Sequence, residues 1–271
     1  MVRKALNARV LQRIEVTPEL MILTVVPDGW KLPQFKAGQF AVLGLPGSAP
    51  RHPLCDPDES TPDPDALIRR AYSVASSPEE RGHLEFYITL IRSGALTPRL
   101  WVLNPGDPLW LGGKFSGLFT LDEVPDAGNI VLIATGTGLA PYMSMVRSFL
   151  LNESQRRVAV LHGARHSWDL GYRSELLTLQ RLFENFDYVP TISRPDDEPL
   201  PWGGASGYVQ ELWRTGRIAD LWGFPAEPGN THVFLCGNPS MVEQAMKLLE
   251  AEGFREHTRP EPGQIHVEKY W

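Results

Sequence analysis

Asn129-Ile130-Val131-Leu132-Ile133-Ala134-Thr135-Gly136-Thr137-Gly138-Leu139-Ala140-Pro141 decides how the second half of this chain folds. The NIVLIA run, Asn129–Ala134, is short and apolar throughout, as expected of a strand buried on both faces of a parallel sheet. Two glycines follow it directly, letting a backbone approach a ligand closely. Pro141 suits the start of a helix, predicted over Pro141–Leu151. A strand, a glycine loop and a helix N-terminus make a place for a dinucleotide diphosphate.

Downstream the same rhythm continues. Strands are predicted at Arg157–Gly163, Phe186–Ile192 and His232–Leu235, and helices at Tyr172–Phe183 and Ser240–Glu252. Alternation of this kind predicts a Rossmann-like, doubly wound parallel sheet. The strand ends carry His162-Gly163-Ala164-Arg165 and Ser193-Arg194, and Cys236-Gly237-Asn238 follows the last run. Open α/β sheets bind ligands at these carboxyl ends, and two arginines there suit a phosphate. An exposed loop arginine is the plainer alternative for Arg194, and a buried structural thiol for Cys236.

Upstream the periodicity changes. Strands are predicted at Ala8–Val16, Glu19–Val26, Gln39–Leu45, Arg70–Ala75, Leu84–Ile91 and Pro108–Leu111, separated by Gly and Pro turns. Six short strands of this kind suggest an antiparallel barrel, with one helix at Thr97–Leu103. The domain boundary is placed near Asp122–Gly128, giving units of residues 1–124 and 125–271. Between Pro46 and Ile68 lies a Pro-, Asp- and Ser-rich stretch expected to be a mobile surface insertion.

Composition excludes several classes. A formal charge of −6 is the wrong sign for a nucleic-acid footprint. No apolar stretch is long enough to span a membrane, and the N-terminus has no signal core, so a cytoplasmic protein is expected. Cys55 and Cys236, the only cysteines, make neither a disulfide framework nor a four-cysteine metal site; free thiols are expected, although one bridge remains open.

Arg70-Ala71-Tyr72-Ser73 is the strongest motif of the first half. An arginine fork holds a diphosphate bidentately, and residues two apart on a strand share a face, so Arg70 and Tyr72 suit one extended ligand. With the NIVLIATGTGLAP stretch and the terminal Glu268-Lys269-Tyr270-Trp271, it gives the chain a resemblance to the ferredoxin–NADP reductase family of the bacterial type. The resemblance implies a six-stranded Greek-key barrel for FAD followed by the NADP sheet. It implies FAD contacts from Arg70, Ala71, Tyr72 and Ser73, from Tyr87, Ile88 and Thr89, and from Ala95, Leu96 and Thr97, where a helix opens toward the diphosphate. Thr137, Tyr270 and Trp271 complete the set. For NADP it implies Thr137, Gly138, Ala164, Arg165, Ser193, Arg194, Tyr208, Cys236, Gly237 and Asn238. Tyr208 stands where bacterial members often carry an arginine, and resembles the plant-type tyrosine that packs on adenine. Ser73, Cys236, Glu268 and Tyr270 are the implied catalytic residues.

The implied activity is hydride transfer between nicotinamide and flavin N5, then single-electron steps to ferredoxin or flavodoxin, which dock transiently on a monomer. Arg69, Arg92, Arg99 and Lys114 are expected to form a basic rim for an acidic carrier. An oxygenase reductase, a free-flavin or ferric-chelate reductase, and a dinucleotide-binding regulatory protein are the alternatives.

Overall fold

The computed structural model describes residues 6–150 and 156–269. The chain divides into two compact units, one formed by the chain up to Thr120 with Met143–Ser148, the other by Leu121–Tyr142 and the chain from Phe149 onward.

In the first unit, β1 (Ala8–Thr17), β2 (Leu20–Pro27), β3 (Phe40–Pro46), β4 (Leu67–Ser73), β5 (Leu84–Thr89) and β6 (Pro108–Leu111) form an antiparallel sheet ordered β4-β3-β6-β1-β2-β5. A bridge from Val74, just past β4, to Phe86 of β5 joins the two edges. This is the expected Greek-key barrel, and closure removes free strand edges. Alternating side chains such as Leu23, Leu43, Phe86 and Leu109 fill it and are fully buried. Helix α1 is a single turn, Thr97–Leu100, shorter than the predicted Thr97–Leu103. The chain leaves the helix at Trp101, whose buried ring donates to Pro18 O at 3.1 Å.

The segment between β3 and β4, expected to be mobile, is instead pinned. Gly47 N donates to Ala66 O at 2.9 Å and Ser48 Oγ to Pro64 O at 2.9 Å, closing its neck. Farther out, Asp58 pairs with both Arg51 and Arg99. Long-range ion pairs leave no local signature, so composition alone reads as a loose loop.

In the second unit β7 (Asn129–Thr135), β8 (Val158–Ala164), β9 (Phe186–Ile192), β10 (Ala205–Ser206), β11 (Thr231–Cys236) and β12 (Ile265–Glu268) are all parallel, ordered β10-β9-β8-β7-β11-β12. The helices are α2 (Ala140–Phe149), α3 (Arg173–Leu182), α4 (Val209–Arg214), α5 (Arg217–Trp222) and α6 (Pro239–Ala251). The sequence reading missed β10, β12, α4 and α5. β10 has two residues, and Gly216, at φ 74°, divides α4 from α5 into two six-residue helices with too little length for a period. β7 steps outward to β8 and β9, and the chain then returns to β11 on the opposite side of β7. Strand order therefore reverses between β7 and β11, the point at which such sheets open a crevice.

Candidate functional site

In the first unit β4 places its residues by strand alternation. Arg70 is exposed, and its one side-chain hydrogen bond among the described residues is Nη1 to Arg69 O, 2.8 Å. Among the described residues no carboxylate pairs with it, which leaves its fork open to an anion. Tyr72, on the same face, is half-buried against the barrel core, its ring edge-on to Phe86 at 6.5 Å. Burial pushes its phenol well above the usual range, so it stays neutral. Ser73 is buried and pairs with Phe40. On β5, Tyr87 and Ile88 are buried and Thr89 is half-buried, paired with Ile22, Met21 and Leu20 of β2.

Above β4 lies a cleft of ≈ 910 Å³, lined by Arg70 and Ala71 of β4, Gly94 and Ala95 ahead of α1, and Asp58 and Ser60 of the 47–66 segment. A diphosphate fits this lining: one wall is cationic, and the turn before α1 is half-exposed backbone. The single-turn α1 adds little. Pro98 has no amide, the amides of Arg99 and Leu100 already reach Leu96 O, and the Thr97 hydroxyl is taken up by Ile91 N and O at 3.0 and 3.1 Å. A dipole needs more turns than this to build up, so the positive charge lining this cleft is carried by the side chains of Arg69 and Arg70.

Arg99 does not belong to a basic rim. It is 2% exposed, and its guanidinium is divided between Asp58, Ala95 O and Gly47 O. Arg92 is paired with Glu19 at 2.8 Å, and Arg69 lies over the Trp110 ring at 5.7 Å.

In the second unit the parallel register brings the expected dinucleotide residues to one edge. Thr135 ends β7, Ala164 ends β8, Ile192 before Ser193-Arg194 ends β9, Ser206 before Gly207-Tyr208 ends β10, and Cys236 ends β11. Ser193 N and Arg194 N donate to Ala164 O and Arg165 O at 3.0 Å each, tying the two arginine-bearing ends together. Arg165 and Arg194 are exposed, as is Tyr208 at 68%. His166, between Asp169 and Asp197 at 3.3 and 3.4 Å, and Ser167, bonded to Glu198, hold the turn that follows Arg194.

At the strand-order reversal the loops after β7 and β11 meet backbone to backbone. A Cβ on Gly138 would lie 2.3 Å from Cys236 O, and one on Gly237 would lie 2.3 Å from Thr135 Oγ1. Gly237 also has φ +138°, so neither position accepts a side chain without movement. Thr135 Oγ1 accepts from Asn238 N at 2.8 Å, a contact the sequence reading missed. Asn238 Oδ1 caps α6, accepting from Ser240 N at 2.9 Å and Met241 N at 3.4 Å, so its side chain is already engaged. Thr137 is half-exposed in the short 3-10 turn Gly136–Leu139.

Cys236 is fully buried and is the register partner of Glu268 on β12. Tyr142 lies near both. Burial first, then the Cys236 and Glu268 charges, push its phenol well above the usual range, and its hydroxyl donates to Ile133 O at 3.2 Å. Tyr270 and Trp271 lie outside the described residues. Both cysteines are free thiols. Among the described residues no cluster of three or more His, Cys, Asp or Glu is arranged for a metal, and no helix is long and apolar enough to cross a membrane.

Comparison with known proteins agrees with this layout. A family profile described as an oxidoreductase NAD-binding domain matches residues 132–247. The chain is 33% identical to a flavodoxin/ferredoxin–NADP reductase of Buchnera aphidicola subsp. Baizongia pistaciae, over 88% of each chain. It is 32% identical to the protein of that name from Escherichia coli K12, again over 88% of each. Among solved structures, a ferredoxin NADP+ reductase from Neisseria gonorrhoeae with bound FAD and NADP superposes with a TM-score of 0.80 at 26% identity, over 98% of both chains. With identity above 30% sustained over most of both sequences, the chain belongs to the flavodoxin/ferredoxin–NADP reductase family.

Proposed function

We propose that this protein is a ferredoxin/flavodoxin–NADP reductase that passes electrons between NADP(H) and ferredoxin or flavodoxin through bound FAD. The observation that supports this reading most is that Arg70, with no carboxylate partner among the described residues, lines a cleft of ≈ 910 Å³ in one unit, while in the other the residues expected to hold a dinucleotide lie along one sheet edge. Residues 1–124 are assigned to FAD and 125–271 to NADP.

Bound FAD supplies a centre that takes up two electrons together and releases them one at a time. The chain's own residues bind, orient and shield. Arg70 neutralises the flavin diphosphate, with the backbone of Ala95–Thr97 beside it. Tyr72 packs on the flavin, Ser73 offers its hydroxyl to the reactive ring nitrogen, and the Tyr87–Thr89 backbone meets the ring edge. Arg165, Ser193 and Arg194 hold the 2′-phosphate that separates NADP from NAD, with Ala164 beneath, while Tyr208 packs on adenine. Gly138 and Gly237 let backbone approach the dinucleotide, next to Thr137 and Asn238. Cys236 flanks the nicotinamide, with Glu268 on the adjoining strand, and the family resemblance implies that Tyr270 and Trp271 would cover the flavin. The reductase acts as a cytoplasmic monomer that its carrier meets transiently.

Anaerobic titration of the purified protein with NADPH and, separately, NADH tests this assignment. NADPH should bleach the flavin absorbance at stoichiometric concentration and support electron delivery to an added flavodoxin or ferredoxin. Failure of NADPH to bleach a flavin-loaded protein would refute it.

A further inference from the structure

The segment 47–66 contributes Asp58 and Ser60 to the cleft lining but has no role assigned so far, and it is bonded at both its neck and its far end. Its neck is closed by the Gly47–Ala66 and Ser48–Pro64 contacts. Its far end folds onto residues 91–99. Asp58 Oδ1 accepts from Arg51 Nη1 at 2.7 Å and Arg99 Nη1 at 3.0 Å, and Oδ2 accepts from Arg99 Nη2 at 2.7 Å. The same two guanidinium groups reach the carbonyls of Gly94 (3.0 Å, from Arg51) and Ala95 (2.7 Å, from Arg99). Backbone bonds from His52 N to Pro98 O and from Asp56 N to Arg92 O complete the attachment.

The consequence is geometric. The turn 93–95 and the segment 58–62 become fixed walls of the cleft whose floor is β4 with Arg69 and Arg70. The geometry points to a strap that retains the adenosine-diphosphate half of FAD, latched by Asp58 between Arg51 and Arg99. This rests on the FAD reading of the cleft and goes beyond it, because it assigns retention to a segment lying outside the resemblance to the reductase family. The charged lining residues are Arg69 and Arg70 on the floor and Asp58 and the exposed Glu59 on the wall. Asp58 is matched by two guanidinium groups, so it sets no bare carboxylate against a diphosphate. Exposed Glu59 and Ser60 on the same wall offer acceptor and hydroxyl groups to a ribose. Arg99 also explains why the latch holds: a fork buried to 2% exposure is costly to leave without its carboxylate.

Apoprotein of the full chain, wild type and Asp58→Asn, is titrated with FAD and with FMN, which lacks the adenosine-monophosphate portion. Folding of each apoprotein is checked by circular dichroism. Asp58→Asn is expected to raise the Kd for FAD at least tenfold, mainly through faster release, and to leave the Kd for FMN within twofold of wild type. Arg51→Lys keeps the charge but loses the fork; it should shift FAD in the same direction and serves if Asp58→Asn does not fold. A Kd for FAD within twofold of wild type, or equal weakening of FAD and FMN, would overturn the strap. Wild-type apoprotein that binds neither flavin would overturn the FAD reading itself.

Discussion

Cys236 and Glu268 are register partners at the carboxyl ends of adjacent parallel strands, and both act electrostatically on the buried Tyr142 phenol. In the proposed site the Cys236 thiol and the Glu268 carboxylate would stand beside the ring that enters next to Gly237. Orientation within such a wall governs how often reacting atoms reach about 3–3.5 Å. Cys236→Ser should therefore lower kcat for NADPH-driven dye reduction roughly tenfold, equivalent to about 1.4 kcal/mol of barrier, without loss of FAD. Stopped-flow measurement of flavin bleaching checks this, and a wild-type rate would remove Cys236 from the site.

Gly138 and Gly237 make the crevice possible by excluding side chains where two backbones touch. In Gly138→Ala the new methyl meets Cys236 O at 2.3 Å and the loop after β7 has to move. Overpacking of this kind costs roughly 1–3 kcal/mol. The variant should melt lower and bind NADP(H) poorly while keeping its flavin, as read by calorimetry and by difference spectra on adding NADP+.

Arg194 stands exposed at the end of β9, its amide bonded to Arg165 O at 3.0 Å. A charge-assisted hydrogen bond contributes roughly 1.5–3 kcal/mol. Arg194→Ala should raise KM for NADPH about 10- to 150-fold by the same conversion and leave KM for NADH nearly unchanged. Equal losses with both nucleotides would contradict its assignment to the 2′-phosphate.

Two buried histidines set an acid limit on stability. Burial pushes His162 down to about 3, and burial with the neighbouring His257 and His232 charges pushes His266 down to about 3. Between pH 6.5 and 3 the unfolded chain binds protons that the folded chain refuses, so the stability these residues lend is complete above 6.5 and falls as pH drops. At pH 5 each should cost about 2 kcal/mol. His266, bonded to His232 at 3.0 Å and stacked on Phe234, is the accessible test. Between pH 7 and pH 5, His266→Gln should lose about 2 kcal/mol less than wild type in urea unfolding, and an identical loss would argue otherwise.

Much of this was legible in the sequence because it is local. The NIVLIA run announces a strand buried on both faces, and TGTG marks a backbone that must approach something. Alternation through Arg70 and Tyr72 places both on one face. What the sequence hid is long-range. Nothing near Asp58 says that Arg99, forty-one residues away, will bury itself against it, and so a structured strap reads as a loose proline-rich loop. The same contact removed Arg99 from the expected carrier-facing rim. The pairing of Cys236 with Glu268 was equally hidden, because a four-residue strand such as β12 has too little length to show a period.

The most direct measurement is the visible spectrum of the purified protein together with the nucleotide released on denaturation. The expected result is a yellow protein releasing one FAD per chain, or a colourless one that takes up FAD to that stoichiometry and fails to do so once Arg70 is replaced by alanine. A colourless protein that cannot be reconstituted with FAD would contradict it.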